Sequence, residues 1–258
     1  MALTEQHSFL PREDTRTNSL LAALPAAEQA LLAPQIRSIE LTRGVVLETL
    51  GERTEHVHFP CSGALVSLLQ NMQDGAAVEV AAIGGEGMIG GMAVLGSGIA
   101  LAQATVQLPG LFLRIPASTF ATLMQAHPAL RDKVVQYNEL LVAQMQQSIA
   151  CNALHDVESR LCRWLLQTQD RTGSDILPFT QELLGQMLGV RRTTITLVAR
   201  MLQSADMIRW SRGRVEILDR QALEHAACEC YATTRERTQR FLAPDRPSAS
   251  SPHRLPRL

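Results

Sequence analysis

Arginines and hydroxyl side chains between residues 179 and 214 are the strongest chemical signal in the chain. An apolar face on a first predicted helix is followed by Gly189, which supplies a turn. A second predicted helix over residues 191–203 has apolar side chains on one face and polar or cationic side chains on the other. Such a cationic, hydrogen-bonding helix face suits the major groove of DNA. The residues of this segment predicted to contact DNA are Arg191, Arg192, Thr193, Thr194, Thr196, Leu197 and Arg200.

A short basic β-hairpin is predicted directly after this helix pair. Two runs with the composition of strands flank residues 211–214 (Ser-Arg-Gly-Arg), whose glycine permits a tight turn. Arg212 and Arg214 are the predicted phosphate contacts. Six arginines and one acidic residue lie between Leu188 and Arg214, so the segment is basic although the whole chain has a formal charge of −1. A purely structural helix hairpin is the alternative, but the basic hairpin favours a winged helix-turn-helix that binds double-stranded DNA.

Length and composition limit the remaining possibilities. A chain of 258 residues can form two compact domains, and 46% apolar with 19% charged residues is typical of globular proteins. No stretch approaches the roughly 18 apolar residues of a membrane helix. The N-terminus lacks the basic and then apolar layout of a secretory signal. We therefore expect a cytoplasmic protein with no membrane partner.

The cysteines are expected to be reduced. There are five of them at irregular spacing, and an odd number fits free thiols better than a disulfide framework. Cys228 and Cys230 form a near pair on a predicted C-terminal helix, where side chains two positions apart diverge. A structural role is expected for this pair. Cys61, Cys151 and Cys162 leave a thiol sensor as an open alternative.

Short β-type runs interrupted by glycine fill residues 36–115. Their spacing of roughly ten residues predicts a β-barrel, jelly roll or sandwich. After Pro128 a long helical pattern extends to about Leu154 and carries a narrow apolar seam. The seam is predicted to form a dimer interface; packing on the chain's own β-domain is the alternative, and both uses can hold at once. The seam residues are Leu130, Val134, Tyr137, Leu141 and Met145.

The order of β-roll, long helix and winged helix-turn-helix resembles the cyclic-AMP receptor protein and fumarate-nitrate reductase regulator (CRP/FNR) family. The resemblance covers roughly residues 18–231 and is most specific at residues 51–63, 84–90 and 183–195. It implies a homodimeric bacterial transcription regulator that reads an interrupted palindrome in DNA and contacts RNA polymerase.

The same resemblance assigns roles on the second helix of the helix-turn-helix. The family's groove-reading arginine falls on Arg192. Its next reader, commonly Glu, falls on Thr193, and a later arginine falls on Leu197. These two departures imply an operator sequence that differs from the usual one of the family.

Composition and the resemblance together predict an α+β fold in five parts. They are a flexible N-terminus (1–17), a cyclic-nucleotide-binding-like β-roll sensor domain (18–127), a dimerisation helix (128–153), a winged helix-turn-helix DNA-binding domain (154–225), and a C-terminal helix with a disordered tail (226–258).

An effector pocket is implied in the glycine-rich part of the β-roll. Its expected residues are Gly84, Gly85, Glu86, Gly87, Met88, Ile89, Gly90, Gly91, Ala102 and Gln103. A buried phosphate needs a cation, preferably Arg. No Arg or Lys occurs from Thr54 through Leu113, and that stretch contains four acidic residues. We therefore expect no cyclic nucleotide, although backbone amides of residues 84–91 could still hold an anion.

Family motifs for the known effectors are also missing from their expected places. The ribose-binding Glu of nucleotide-binding members falls on Gly91, and their phosphate-binding Arg falls at or near Ala102. Iron–sulfur members carry an N-terminal cysteine cluster, whereas the first cysteine here is Cys61. The sequence thus predicts no cofactor, and the β-roll either senses an unidentified effector or serves as a scaffold.

His56 and His58 support a different hypothesis, because residues two apart on a strand project from the same face. With Cys61 they resemble the metal motif of cupin enzymes, which would imply a metalloenzyme or metal sensor with an appended DNA-binding domain. That motif has a Glu shortly after the second His, where this chain has Cys61 and Ser62. We expect no metal site here. No signature of catalytic residues is found, so the chain is not expected to be an enzyme.

Overall fold

The computed structural model describes residues 18–243. The predicted flexible N-terminus and the predicted disordered tail from Pro244 lie outside these described residues. Within the described part, an N-terminal half rich in strands is followed by a C-terminal half built mainly from helices.

Two short helices begin the described chain, and they are α1 (Ser19–Ala22) and α2 (Ala26–Leu32). The side chain of Asn18 caps α1 by accepting a hydrogen bond from the Leu21 amide. Its Nδ2 group donates to the carbonyl oxygens of Pro60 and Gly87, at 2.8 and 2.9 Å. These bonds attach the first helix to the β-domain.

The β-domain contains seven strands, which are β1 (Arg37–Leu41), β2 (Val46–Glu48), β3 (His56–Pro60), β4 (Leu65–Asn71), β5 (Ala77–Ile83), β6 (Gln103–Leu108) and β7 (Gly110–Pro116). They form two antiparallel sheets with the strand orders β1-β7-β3 and β2-β6-β4-β5. Side chains of both sheets meet in one core that includes Val57, Phe59, Val66 and Phe112. This arrangement confirms the predicted β-roll.

Strand β1 has only a weak strand pattern in its sequence. Only Ile39 and Leu41 of β1 are buried, while Arg37 and Glu40 are exposed. A strand at the end of its sheet needs few apolar side chains, so its pattern is weak. Pairing with β7 along its whole length defines β1 in the structure.

Three helices follow or interrupt the strands, and they are α3 (Gly91–Leu95), α4 (Ala117–Ala126) and α5 (Pro128–Leu154). Helix α5 begins with Pro128, as predicted, because proline lacks the amide hydrogen that would have no partner in the first turn. It ends at Leu154, where the helical pattern of the sequence also ends.

The apolar seam of α5 packs on the chain's own β-roll, which corrects the prediction that it forms a dimer interface. Leu130, Val134, Tyr137 and Leu141 are buried in the β-roll core, and Met145 packs against it. The Tyr137 hydroxyl donates a hydrogen bond to the Met88 carbonyl oxygen at 3.0 Å. The seam therefore covers the β-roll core within the chain.

The C-terminal half consists of α6 (Val157–Thr172), β8 (Ile176–Leu177), α7 (Gln181–Leu188), α8 (Arg192–Ser204), β9 (Ile208–Ser211), β10 (Arg214–Ile217), α9 (Arg220–Ala226) and α10 (Cys230–Leu242). Strands β8, β10 and β9 form a small antiparallel sheet in that order. Its core includes Leu165, Phe179, Ile195 and Val215. Among residues 18–243 we find no helix with the length and apolarity that a membrane crossing requires.

The helical half is docked on the β-roll. Leu65 and Leu69 of β4 share a buried cluster with Met187 of α7. At the border of this cluster Trp164 Nε1 donates a hydrogen bond to Glu79 Oε1 at 2.8 Å. The two halves thus bury a common apolar surface with polar contacts at its edge.

Candidate nucleic-acid interface and adjoining cavity

Helices α7 and α8 form a helix-turn-helix whose turn depends on two glycines. The Thr180 hydroxyl accepts a hydrogen bond from the Leu183 amide and caps α7. Gly189 ends α7 in the left-handed conformation, with φ of 64°, as the sequence predicts. A Cβ atom on Gly185 would lie 2.9 Å from the carbonyl oxygen of Val190, so only glycine allows this close approach of the turn. Sequence reasoning missed Gly185, because close backbone approach leaves no periodic signal.

Helix α8 has a buried and an exposed face. Ile195, Val198, Ala199 and Leu202 are buried, as its periodicity predicts. The predicted DNA contacts that lie on the exposed face are Arg191, Arg192, Thr193, Leu197 and Arg200. Arg191 is the N-cap residue, so the helix proper starts one residue later than expected. The Arg191 side chain is therefore exposed at the start of the helix.

The other two predicted contacts on α8 are less available. Thr194 and Thr196 are half-buried. The Thr196 hydroxyl lies 2.6 Å from Gln181 Oε1 and 3.0 Å from the Arg192 carbonyl oxygen. Both distances are those of hydrogen bonds. Thr196 therefore joins α8 to the start of α7 within the protein.

Strands β9 and β10 form the predicted hairpin next to α8. Arg212 and Gly213 make its two-residue turn, and both have positive φ, of 49° and 76°. The side chains of Arg212 and Arg214 are exposed. Arg209 pairs with Glu216 across the two strands, with Nη1 2.8 Å from Oε2. The hairpin thus exposes two arginines at its tip while a third is already paired.

We use the name basic surface for seven exposed residues of α8, its N-cap and the hairpin, which are Arg191, Arg192, Thr193, Leu197, Arg200, Arg212 and Arg214. Five of these seven residues are arginines, and no acidic residue is among them. A helix end and a hairpin that both expose arginine can bind a polyanion at two places.

A cavity of about 390 Å³ lies between the β-roll and α5. Five of the expected effector-pocket residues line it, namely Met88, Ile89, Gly90, Gly91 and Ala102. Strands β4 and β5 and helix α5 complete the lining, which no local pattern in the sequence predicts. Their contributions include Leu68, Val80, Leu141, Met145 and Ile149.

The other five expected pocket residues do not line this cavity. Glu86 forms an ion pair with Arg171, with Oε1 2.8 Å from Nε, and it accepts a hydrogen bond from the Gly84 amide. The Gly85 carbonyl oxygen accepts a hydrogen bond from the Ser19 amide at 2.6 Å. These contacts direct residues 84–86 toward α1 and α6, away from the cavity.

Gly87 and Gln103 are also engaged elsewhere. A side chain at Gly87 would collide with the Tyr137 ring, so this glycine makes room for α5. Gln103 Oε1 accepts a hydrogen bond from Asn71 Nδ2 at 2.8 Å on an exposed part of the sheet. The glycine-rich segment therefore serves mainly to pack helices, and only its last residues reach the cavity.

The cavity lining is mostly apolar and has no cation among the described residues. Its two charged members are Glu48 and Glu79. Burial raises the pKa of both carboxyl groups, although hydrogen bonds lower it, from Thr54 to Glu48 and from Ser67 and Trp164 to Glu79. The cavity is thus suited to an uncharged molecule and lacks the counter-charge that a phosphate requires.

His56 and His58 do project from one strand face, with ring centroids 5.9 Å apart. His58 is buried, and its Nδ1 atom has no hydrogen-bond partner. Burial, followed by the charges of His56 and Arg114, lowers the pKa of His58 to about 3, so the ring is neutral at physiological pH. Cys61 belongs to the β-roll core. Among residues 18–243, the ligand atoms of these three side chains are not gathered into one group, unlike those of Cys151, His155, Cys228 and Cys230.

Comparison with protein families identifies the C-terminal part of the chain. Residues 159–226 match the family model of the Crp-like helix-turn-helix domain. A search among curated proteins finds no relative with significant sequence similarity.

Solved structures of similar fold cover most of the chain. A protein from Eubacterium rectale assigned to the crp/fnr family of transcriptional regulators aligns with a TM-score of 0.65 and 18% identity, over 80% of this chain and 96% of its own. FixK2 from Bradyrhizobium japonicum aligns with a TM-score of 0.61 and 13% identity, over 75% and 98% of the two chains. The c-di-GMP responsive regulator CLP from Xanthomonas campestris has a TM-score of 0.61 and 15% identity, over 74% and 97%.

The fold is therefore that of the CRP/FNR regulators, and the matched domain is the one with which such proteins bind DNA. Within this fold, residues 159–226 form a helix-turn-helix domain of the Crp-like type.

Proposed function

We propose that two copies of this chain bind double-stranded DNA as a homodimer, with one basic surface in each half-site. The observation that carries this proposal is the exposed, arginine-rich start of α8 beside the two arginines of the hairpin. Arg192 is placed to bind guanine in the major groove, because bidentate contacts to base edges come from the first turns of such a helix. Arg212 and Arg214 on the hairpin contact phosphates.

The exposed side of α5 is the proposed dimer interface. Val142 and Ile149 are 37% and 68% exposed, and a spacing of seven residues places them on the same face of the helix. Two such helices, related by a twofold axis, would place recognition helices in successive major grooves about 34 Å apart. The operator is accordingly an interrupted palindrome with half-sites about ten base pairs apart.

The effector, if one binds, occupies the cavity beside α5. Ile149 lies on both the cavity and the proposed dimer face, so a molecule in the cavity could alter dimer geometry directly. The apolar lining favours an uncharged small molecule over a cyclic nucleotide. Calorimetry with cyclic AMP and cyclic GMP is expected to show binding no tighter than millimolar. A micromolar dissociation constant for either nucleotide would contradict this part of the proposal.

The remaining parts of the proposal follow from the class of protein. A regulator of this kind acts in the cytoplasm, contacts RNA polymerase at its promoters and catalyses no reaction.

Footprinting on genomic fragments tests DNA recognition. The wild-type chain should protect a symmetric site, and Arg192→Ala should lose that protection. The matched control is Arg237→Ala, which removes an exposed arginine from α10, away from the basic surface. Protection of an asymmetric site, or equal loss with both variants, would refute the assignment of α8.

Sedimentation tests the dimer separately. Ile149→Glu should convert the dimer to a monomer because it places like charges across the twofold axis. Ile176→Glu is the control, since Ile176 is a similarly exposed apolar residue outside α5. A wild-type chain that binds DNA as a monomer would refute the dimer.

A further inference from the structure

Four side chains with metal-binding atoms meet where α5 ends. Cys151 and His155 come from the end of this helix, and Cys228 and Cys230 come from the segment between α9 and α10. The three sulfur atoms and one imidazole nitrogen all lie within 4.8 Å of one another. The three cysteines are buried and His155 is half-buried. We call this group the Cys₃His cluster.

Local backbone structure explains why these atoms converge. Cys151 and His155 are four positions apart, so they share one face of the final helical turn. Cys228 lies outside any helix, Glu229 is the N-cap of α10, and Cys230 is its first residue. The expectation that Cys228 and Cys230 diverge on a helix is therefore wrong. The non-helical backbone before α10 turns both sulfur atoms to the same side.

The distances fit a single metal ion. Cys151 Sγ lies 3.5 Å from Cys228 Sγ, and Cys230 Sγ lies 3.5 Å from His155 Nδ1. A tetrahedral zinc ion with Zn–S bonds of about 2.3 Å holds its sulfur ligands about 3.8 Å apart. The four atoms thus already have nearly the separations that such an ion imposes.

We propose that Cys151, His155, Cys228 and Cys230 bind one Zn²⁺ ion in a structural Cys₃His site. Three thiolates and one imidazole are a ligand set that tetrahedral zinc accepts. With four protein ligands no position remains for water, so the site is structural rather than catalytic. An iron–sulfur cluster would need wider spacing, because its cysteines bind different iron atoms.

Neighbouring groups support the proposal independently of the four ligands. His155 Nε2 lies 3.2 Å from Glu229 Oε1, which leaves Nδ1 turned toward the sulfur atoms. A carboxylate on the far nitrogen of a histidine is the usual partner of a zinc-binding imidazole. Gln147 Nε2 lies 3.0 Å from Cys230 Sγ and donates a hydrogen bond to it. This donor would stabilise a thiolate.

Positive charge is available beside the cluster. Three thiolates around Zn²⁺ leave one net negative charge, and buried Arg160 and Arg163 on α6 can balance it. Both guanidinium groups have an Nε atom without a hydrogen-bond partner among the described residues. A thiolate-rich metal site therefore fits these surroundings better than three neutral thiols do.

The location of the cluster indicates what the metal does. The DNA-binding domain begins with α6 just after His155 and ends with α9 just before Cys228. A metal held by all four residues joins the entrance and the exit of this domain to the end of α5. The metal would fix the direction in which α8 and the hairpin face relative to the dimer helix.

Metal analysis of the purified, reduced chain is the first test. We expect one zinc per chain in protein from zinc-containing medium. Co²⁺ added to the metal-free chain should give the absorption of tetrahedral cobalt with thiolate charge transfer. Cys228→Ser and Cys230→Ser should each remove most of the zinc and weaken the charge-transfer band. The control is Cys162→Ala, which removes a buried thiol of α6 outside the cluster and should keep one zinc per chain.

Two further variants separate a metal site from a packing role of the cysteines. Glu229→Gln should lower zinc affinity roughly 10-fold to 100-fold by releasing the His155 ring, without changing the folded content measured by circular dichroism. Glu236→Gln, an exposed change on the same helix, should leave zinc affinity as it is. Chelation of the wild-type metal should lower the melting temperature by roughly 5 °C or more.

Three results would overturn the proposal. The first is the absence of both zinc and the cobalt signal in reduced, folded protein. The second is metal uptake that persists after Cys228→Ser and Cys230→Ser are combined. The third is a wild-type chain whose Cys151 and Cys228 are joined by a disulfide and which takes up no metal after reduction. None of these results depends on DNA binding, so the zinc site and the proposed function are tested separately.

Discussion

The two sides of the DNA-binding domain use arginine in opposite ways. On the basic surface, Arg192 is exposed to solvent at the start of α8. On the side that faces the β-roll, the Arg171 side chain is only 10% exposed and pairs with Glu86, which is 18% exposed. Substituting an exposed arginine changes the free energy of unfolding little, whereas substituting Arg171 leaves Glu86 without its counter-charge. Substitution of these residues should therefore separate loss of binding from loss of stability.

The largest effect is expected from Arg171→Ala. This change should lower the free energy of unfolding by about 3 kcal/mol, because it leaves a mostly buried carboxylate without its partner. Urea unfolding followed by tryptophan fluorescence measures it. The double variant Arg171→Met with Glu86→Gln should recover most of the loss, since it removes both charges. A loss below about 1 kcal/mol in the single variant would show that this contact behaves like a surface ion pair.

A smaller effect on binding alone is expected from Arg192→Ala. It should cost about 1–3 kcal/mol on the operator and relax the preference at one base pair of each half-site. Stability should stay within about 0.5 kcal/mol of wild type, as is usual for exposed positions. Binding isotherms on operator and scrambled DNA measure the difference. An equal loss on both DNAs would make Arg192 a phosphate contact instead.

Removing one arginine from the hairpin should have a weaker and less selective effect. Arg212→Ala and Arg214→Ala should each weaken binding to all sequences alike. Each should also make the slope of log K against log salt concentration shallower by roughly one. Arg209→Ala is the matched control, because Arg209 is already paired with Glu216 on the same hairpin. A change in preferred sequence with either tip variant would assign base reading to the hairpin.

The smallest effect is a pH-dependent change in stability, expected from Glu79→Gln where the β-roll meets the DNA-binding domain. Burial raises the pKa of Glu79 in the folded state above its ordinary value of 4.5. Such a carboxyl group favours folding below its unfolded pKa, and this contribution is lost as the pH rises through the folded pKa. The Gln variant should therefore be more stable than wild type at pH 7 and lose this advantage toward pH 4.

Unfolding measured at several pH values tests this prediction. The control is Glu139→Gln, an exposed change on α5 that should leave the pH dependence of stability as in wild type. If Glu79→Gln were less stable than wild type at neutral pH, the ionised carboxylate would be stabilised by Ser67 and Trp164 more than burial disfavours it.

The sequence alone determined those features that depend on neighbours along the chain. The faces of α7 and α8 follow from helical periodicity, and the hairpin follows from a glycine between two short strand patterns. Pro128 defined the start of α5 for the same reason, since its effect on the backbone is local. The basic surface could be predicted because its residues are close in sequence.

Only the tertiary structure decided which surfaces meet. The seam of α5 shows that periodicity gives the apolar side of a helix but not its partner, which here is the chain's own β-roll. The cavity and the Cys₃His cluster combine residues from distant segments, so no local sequence pattern predicts them. Cys228 and Cys230 converge because the backbone leaves the helix at that point, and this depends on how α10 packs against α5. Contacts between distant segments are set by the packing of whole elements, and a single sequence does not encode that packing in its spacing.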